Sequence, residues 1–286
     1  MLTLAIHQRM SIEQIRWLLK VLQPERSLAS FPGAAGLSQE IHAALSGLPL
    51  ETYSGELFRL RAEAKQAASE LLDEPGVASM LDHLPLRKAA KIVAFGDSLT
   101  SDPQSWAVIL SELFAARRAT DEVSLTISAV GGETTTHALV RMGQVVAQQP
   151  DWILFFVGTN DCRTQGPQAT KTLVHHEESA RNLAELRRRA SQETKARCLW
   201  LTPPAVNEAL VAEHPGLARF GVRFRNADLE RVAKIVREID EQALDLFATL
   251  GAPPPPDLLL ADGLHFSVAG QKRLAREVLS HWSSRP

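Results

Sequence analysis

From residue 88 onward the chain repeats one pattern. Short apolar runs at 92–95, 123–130, 152–157, 198–201 and 258–260 alternate with stretches of helical periodicity. The runs are nearly continuous and rich in β-branched and aromatic residues, as strands covered on both faces are. Between them, Trp106, Ile109, Leu110, Leu113 and Phe114 form one helical stripe. Leu229, Val232, Ile235, Val236, Ile239, Ala243 and Leu246 form a longer one. Strand–helix–strand order with right-handed crossovers predicts a doubly wound parallel sheet. Ligands in such sheets sit at the carboxyl ends of the strands, so chemistry is to be sought in the loops that follow the runs.

Residues 1–87 read differently. Ile12, Ile15, Leu19 and Leu22 follow steps of three and four, and Ser11 with Gln14 fits a capping box. Leu57, Leu60, Ala64, Ala67 and Leu71 repeat that spacing. Pro24, the Phe31-Pro32-Gly33 turn and the stretch 47–49 interrupt it. Three to five short helices are expected, with no strand and no catalytic residue. The 286 residues suffice for one large domain or two modest ones. The change of pattern divides them into a helical extension, 1–87, and an α/β domain, 88–286.

Charge and composition remove several function classes. Lys and Arg number 31 against 33 Asp and Glu, a formal net charge of −2, so no nucleic-acid partner is expected. No run of about 18 apolar residues occurs, so no membrane span is expected. The apolar run within residues 1–10 is too short for a signal-peptide core. Cys162 and Cys198 are too far apart for a metal knuckle. Both features point to a cytoplasmic protein with reduced thiols.

Four post-strand loops carry reactive side chains. The first holds Gly96-Asp97-Ser98-Leu99-Thr100, followed by a helix expected to take Asp102 as N-cap and Pro103 as its first residue. A serine there lies beside helix N–H groups that stabilise an oxyanion. The second loop holds Gly131-Gly132-Glu133-Thr134, the third Gly158-Thr159-Asn160-Asp161. The last holds Asp262-Gly263-Leu264-His265, where a carboxylate three residues before a histidine can hold the ring and fix its tautomer. Alone, each loop also has a plain reading: a glycine turn, a flexible strand-to-helix turn, an Asx-turn, a lone histidine.

Together, in this order, the four loops resemble the blocks of the SGNH, or GDSL-type, serine hydrolase superfamily. The resemblance covers about residues 88–286. It implies a flavodoxin-like three-layer α/β/α sandwich with a central parallel sheet, preceded here by a small all-helical region. It further implies hydrolysis of a small-molecule acyl ester or thioester without metal or cofactor. Carried over, Ser98 is the nucleophile, His265 the general base and Asp262 the residue that orients it. The Ser98 N–H, the Gly132 N–H and the Asn160 side chain form the oxyanion hole. Gly132 is chosen by setting Gly132-Glu133-Thr134 on the family's Gly-Asp-Thr. Two positions depart from the family pattern: Ser128 and Ala129 stand where the second block usually begins, and Phe266 follows the histidine in place of proline.

Other features keep two readings. Arg163 is either a solvated loop residue or a grip for a substrate anion, and Cys162 either packs or responds to oxidation. His175-His176-Glu177-Glu178 reads as a helix start, since adjacent helical histidines diverge by about 100°. Arg187-Arg188-Arg189 reads as a solvated helix face. The long segment 203–226 is expected to shape the pocket or act as a lid, and the prolines at 253–256 form a stiff lead into the histidine loop. The same catalytic residues would serve an acyltransferase, and a non-catalytic scaffold is the third reading. The N-terminal helices could pack on the α/β domain, cap the site or form a homo-oligomer interface, and docking onto the α/β domain is expected.

Overall fold

In the computed structural model the described residues are 10–28, 33 and 36–285. The apolar run ahead of His7, and Phe31 and Pro32 of the expected turn, lie outside them. Five helices come first: α1 (Ile12–Val21), α2 (Pro24–Ser27), α3 (Gln39–Leu45), α4 (Leu50–Leu72) and α5 (Val77–Asp82). No strand occurs among the described residues before β1. The Ser11–Gln14 capping box forms as expected. Helix α4 is not short, running for 23 residues. Its stripe of Tyr53, Leu57, Leu60, Ala64, Ala67, Ala68 and Leu71 is buried along the whole length, and that burial holds the helix together.

The α/β part follows as β1 (Lys91–Gly96), α6 (Ser98–Ser101), α7 (Trp106–Arg117), β2 (Ser124–Ala129), α8 (Thr135–Ala147), β3 (Trp152–Phe156), α9 (His176–Glu193) and β4 (Arg197–Trp200). Then come α10 (Glu208–Glu213), α11 (Pro215–Ala218), α12 (Asn226–Ile239), α13 (Leu246–Leu250) and α14 (Val268–Ser283). The four strands pair in the order β2-β1-β3-β4, all parallel. Alternation along each strand supplies two cores. Ile92, Ala94, Leu154 and Phe156 face α7 and α14, and Ala64, Leu71 and Leu81 of α4 and α5 share that core. Val93, Phe95, Ile153 and Phe155 face α8, α9 and α12. This is the three-layer α/β/α arrangement.

Three local expectations are corrected. The run 258–260 is not a strand. A 3-10 turn occupies Pro256–Leu258, and Leu260 N–H donates to His265 O at 2.7 Å, inside its own loop. The four prolines just before it have no N–H to contribute to a ladder. The free edge of β4 instead takes Leu244, whose N–H donates to Trp200 O at 2.8 Å while its carbonyl accepts from Thr202 N–H at 3.0 Å. Leu244 falls within the long apolar stripe, which therefore splits. Helix α12 stops at Ile239, where Asp240 turns the chain and accepts from Gln242 N–H at 3.0 Å. Finally, Asp102 is not the N-cap of α7. Ser105 is, and Asp102 closes the short helix α6.

Candidate active site

Asp97 accepts the Leu99 N–H at 3.0 Å and so caps α6 one residue before Ser98. That cap places Ser98 at the carboxyl end of β1, on the first residue of a helix. The Ser98 hydroxyl lies 3.0 Å from His265 Nε2. On the other side of the ring, Nδ1 lies 2.6 Å from Asp262 Oδ2. The second oxygen, Oδ1, accepts the backbone N–H groups of Leu264 and His265, both at 2.9 Å. Gly263 makes this turn possible. Its φ is +69°, and a Cβ there would sit 2.7 Å from the Asn207 carbonyl oxygen.

The electrostatics follow from burial. Burial alone would raise Asp262. The facing His265 charge, two hydrogen bonds from His265 (ring and backbone N–H), and the Trp17 indole outweigh it and hold the carboxyl well below its ordinary range. Burial likewise opposes protonation of His265, but the adjacent Asp262 carboxylate prevails and raises it. Asp97 makes no ion pair among the described residues, although the His265 charge favours its carboxylate. Burial pushes its carboxyl up to about 7, against the Leu99 N–H.

The loops that carry the expected oxyanion donors approach Ser98, through Asn160 on Asp97 and Gly131 beside Ser98 Cβ. Asn160 Nδ2 donates to Asp97 Oδ2 at 3.2 Å, which leaves its second N–H uncommitted among the described residues. Gly132 has φ +79°, and its N–H finds no acceptor among the described residues. Its neighbour Gly131 is fixed by space: a Cβ there would lie 2.6 Å from the Val21 carbonyl oxygen and 3.8 Å from Ser98 Cβ. Ser98, Asn160 and His265 are each no more than 5% exposed.

Asp161, which the sequence reading passed over, organises the loops. It accepts from Thr135 N–H at 2.8 Å, Thr135 Oγ1 at 2.7 Å and Ser179 Oγ at 2.6 Å. The loop after β3 is thereby tied to the starts of α8 and α9. Arg141 does the same for the second loop, bonding Glu133, Ser128 Oγ and the Gly96 carbonyl.

The remaining expectations resolve as follows. Arg163 is half-buried rather than solvated, with Nη1 3.7 Å from where a Gly132 Cβ would lie and burial lowering its pKa. Cys162 is buried, and burial pushes its thiol well above the ordinary range, so it stays a thiol. His176 pairs with Asp228 at 3.0 Å at the start of α9. Arg188 and Arg189 make helix-surface pairs with Glu185 and Glu193. Segment 203–226 contains α10 and α11.

The helical extension holds a residue the sequence reading missed. Trp17 of α1 donates its indole N–H to Asp262 Oδ2 at 2.7 Å. Lys20 pairs with Asp102 at 2.8 Å, and Ser101 Oγ donates to Gln23 at 2.6 Å. No sequence signal marks a contact between residues 245 apart.

Residues 94–273 match the family model described as the GDSL-like lipase/acylhydrolase family. The chain belongs to the GDSL-like lipase/acylhydrolase family. The match accounts for more than half of the chain and makes it an ester-bond hydrolase, and all four reactive loops lie inside it. Helices α1 to α5 lie outside it. No curated protein matches the chain by sequence. Among solved structures, a lipase/acylhydrolase from Enterococcus faecalis is 23% identical with TM-score 0.54, over 68% of this chain and 96% of that one. The acetyl xylan esterase AlAXEase is 20% identical with TM-score 0.54, over 66% and 98%. A catalytic mutant of an acetylxylan esterase from Geobacillus stearothermophilus is 20% identical with TM-score 0.53, over 70% and 99%. These likenesses show the family fold. Among the described residues, no helix is long and apolar enough to cross a membrane.

Proposed function

We propose that this protein is a serine esterase or thioesterase that works through an acyl-enzyme on Ser98. The observation that carries the reading is the unbroken line from Ser98 Oγ through His265 to Asp262, with contacts of 3.0 and 2.6 Å. In the first step His265 Nε2 takes the Ser98 proton as Oγ bonds to the acyl carbon. The charge that develops on the carbonyl oxygen meets the N–H groups of Ser98 and Gly132 and the Asn160 amide. Each such donor contributes about 2.7–4 kcal/mol in comparable sites. His265 then returns the proton to the departing alkoxide or thiolate, and alcohol or thiol leaves. Water, deprotonated by the same ring, attacks the acyl-Ser98 ester and frees the acid.

Asp262 keeps the imidazole in the tautomer with its proton on Nδ1 and stabilises the imidazolium formed in each step. Ser98 is 5% exposed, so short acyl groups are expected to reach its hydroxyl more readily than long ones. The test is hydrolysis of p-nitrophenyl acetate, butyrate and octanoate by the wild type and by Ser98→Ala. Acetate is expected to be the best substrate, and Ser98→Ala to lose turnover by about 10³-fold or more. Equal turnover by Ser98→Ala would overturn the nucleophile. Product formed only when an acceptor alcohol is added would replace the hydrolase with an acyltransferase.

A further inference from the structure

We propose that Trp17 is a positioning residue of the active site: its indole N–H completes the shell that holds Asp262 against His265, so helix α1 is part of the catalytic apparatus. This rests on the reading of Ser98, His265 and Asp262 given above.

Three observations support it. The first is the hydrogen bond itself. Asp262 is fully buried and has four donors facing it: two backbone N–H groups on Oδ1, and His265 Nδ1 and Trp17 Nε1 sharing Oδ2. Trp17 alone among these comes from outside the histidine loop. Without it, nothing beyond the loop would fix the rotation of the carboxylate.

The second is a slot fitted to the ring. Trp17 lies over Gly216, where a Cβ would come within 2.5 Å of Trp17 Cη2. The ring of His214 packs 4.9 Å away, centroid to centroid. A side chain at 216 would push the indole off its acceptor.

The third is that α1 is pinned on both sides of Trp17. Arg16 bonds Glu56 at 3.0 Å. Lys20 is buried against Asp102 and Gln104, at 2.8 and 2.6 Å. Gln23 accepts from Ser101 Oγ at 2.6 Å, three residues from Ser98. The Val21 carbonyl packs on Gly131. The helix is therefore registered against the Ser98 loop at several points, and the indole is delivered by a rigid element.

The expected effect has a sign. The indole N–H draws negative charge on Oδ2 away from His265. Its removal leaves that oxygen wholly to the imidazolium, so His265 becomes more basic. The charged groups facing His265 are Asp262, Asp102 and Asp97, and Lys20 neutralises Asp102. None of these is altered by a change at Trp17.

The test is Trp17→Phe in the full chain, which keeps a ring in the slot and removes the donor. On p-nitrophenyl acetate, kcat/KM is expected to fall by about tenfold. The acid limb of its pH profile is expected to move up by about 0.5 unit. The low-field proton of the His265–Asp262 hydrogen bond should shift with it. Arg188→Ala, which removes an exposed pair on the surface of α9, should leave the limb in place. If Trp17→Phe fails to fold, a benzothienylalanine at position 17, with sulfur in place of N–H, reads the same quantities. An unmoved limb and proton resonance in a folded variant would overturn the proposal. So would a gain in activity, which would make α1 an inhibitory cover. Failure of the underlying reading would show separately, as an active Ser98→Ala.

Discussion

Replacing Asp97 by asparagine separates stability from function at one atom. Asp97 is 1% exposed, and burial, only partly opposed by the Leu99 N–H and the His265 charge, lifts its carboxyl from 3.8 to about 7. In the unfolded chain the group returns to its ordinary value. Between roughly pH 4 and 7 the folded state therefore holds more protons than the unfolded one, and stability falls as pH rises through that window. At 1.36 kcal/mol per unit, a rise of about three units amounts to about 4 kcal/mol lost by neutral pH. Asp97→Asn cannot ionise and does not suffer this loss. The assay is urea unfolding of both proteins from pH 4 to pH 8. The stability difference, variant minus wild type, should climb by up to about 4 kcal/mol across the range, its coupling to His265 included in the same shift. A flat difference would refute the reasoning. Activity should move the other way. Asn160 donates to Asp97 Oδ2, and an asparagine amide at 97 would oppose it with a second donor. The Asn160 amide would then turn its oxygen toward the substrate, and kcat on p-nitrophenyl acetate should fall by about 10²-fold.

Two further outcomes follow from the same geometry. Asp262 raises His265, and the ring acts as base only when neutral, so kcat/KM should be lost on acidification from above the ordinary histidine range. Residual hydrolysis by Asp262→Asn should show that limb displaced to lower pH, and an unmoved limb would refute the pairing. Lys20→Met leaves Asp102 charged and buried without its cation, since Lys20 and Asp102 are 3% and 1% exposed. Chemical denaturation should show a loss of about 3 kcal/mol, and a loss below about 1 kcal/mol would mean the pair is open to solvent.

Local chemistry made much of this protein readable from its sequence. The apolar runs of β1, β2, β3 and β4 declare themselves because a strand buried on both faces admits few polar residues. Three of the reactive loops follow β1, β2 and β3 because parallel strands all end on one side, while the histidine loop follows a 3-10 turn instead. The Ser11–Gln14 cap and the Asp262–His265 turn also form within three residues of chain. What failed locally did so where two readings share a pattern. Ala243 and Leu246 continue a helical period, yet the edge of β4 needs a partner and takes Leu244 between them. The run 258–260 looks like a strand, yet the prolines ahead of it withhold the donors a ladder requires.

Tertiary structure alone decided the rest. The lift on Asp97 depends on burial that outweighs the Leu99 N–H and the His265 charge, which no neighbouring residue in sequence announces. Asp161 joins three elements through one carboxylate. Trp17 meets Asp262 across 245 residues, through a helix whose own periodicity speaks only of packing. Periodicity and turn chemistry are properties of a few consecutive residues and survive reading in one dimension. Burial and the pairing of distant donors with acceptors exist only once the chain has closed on itself.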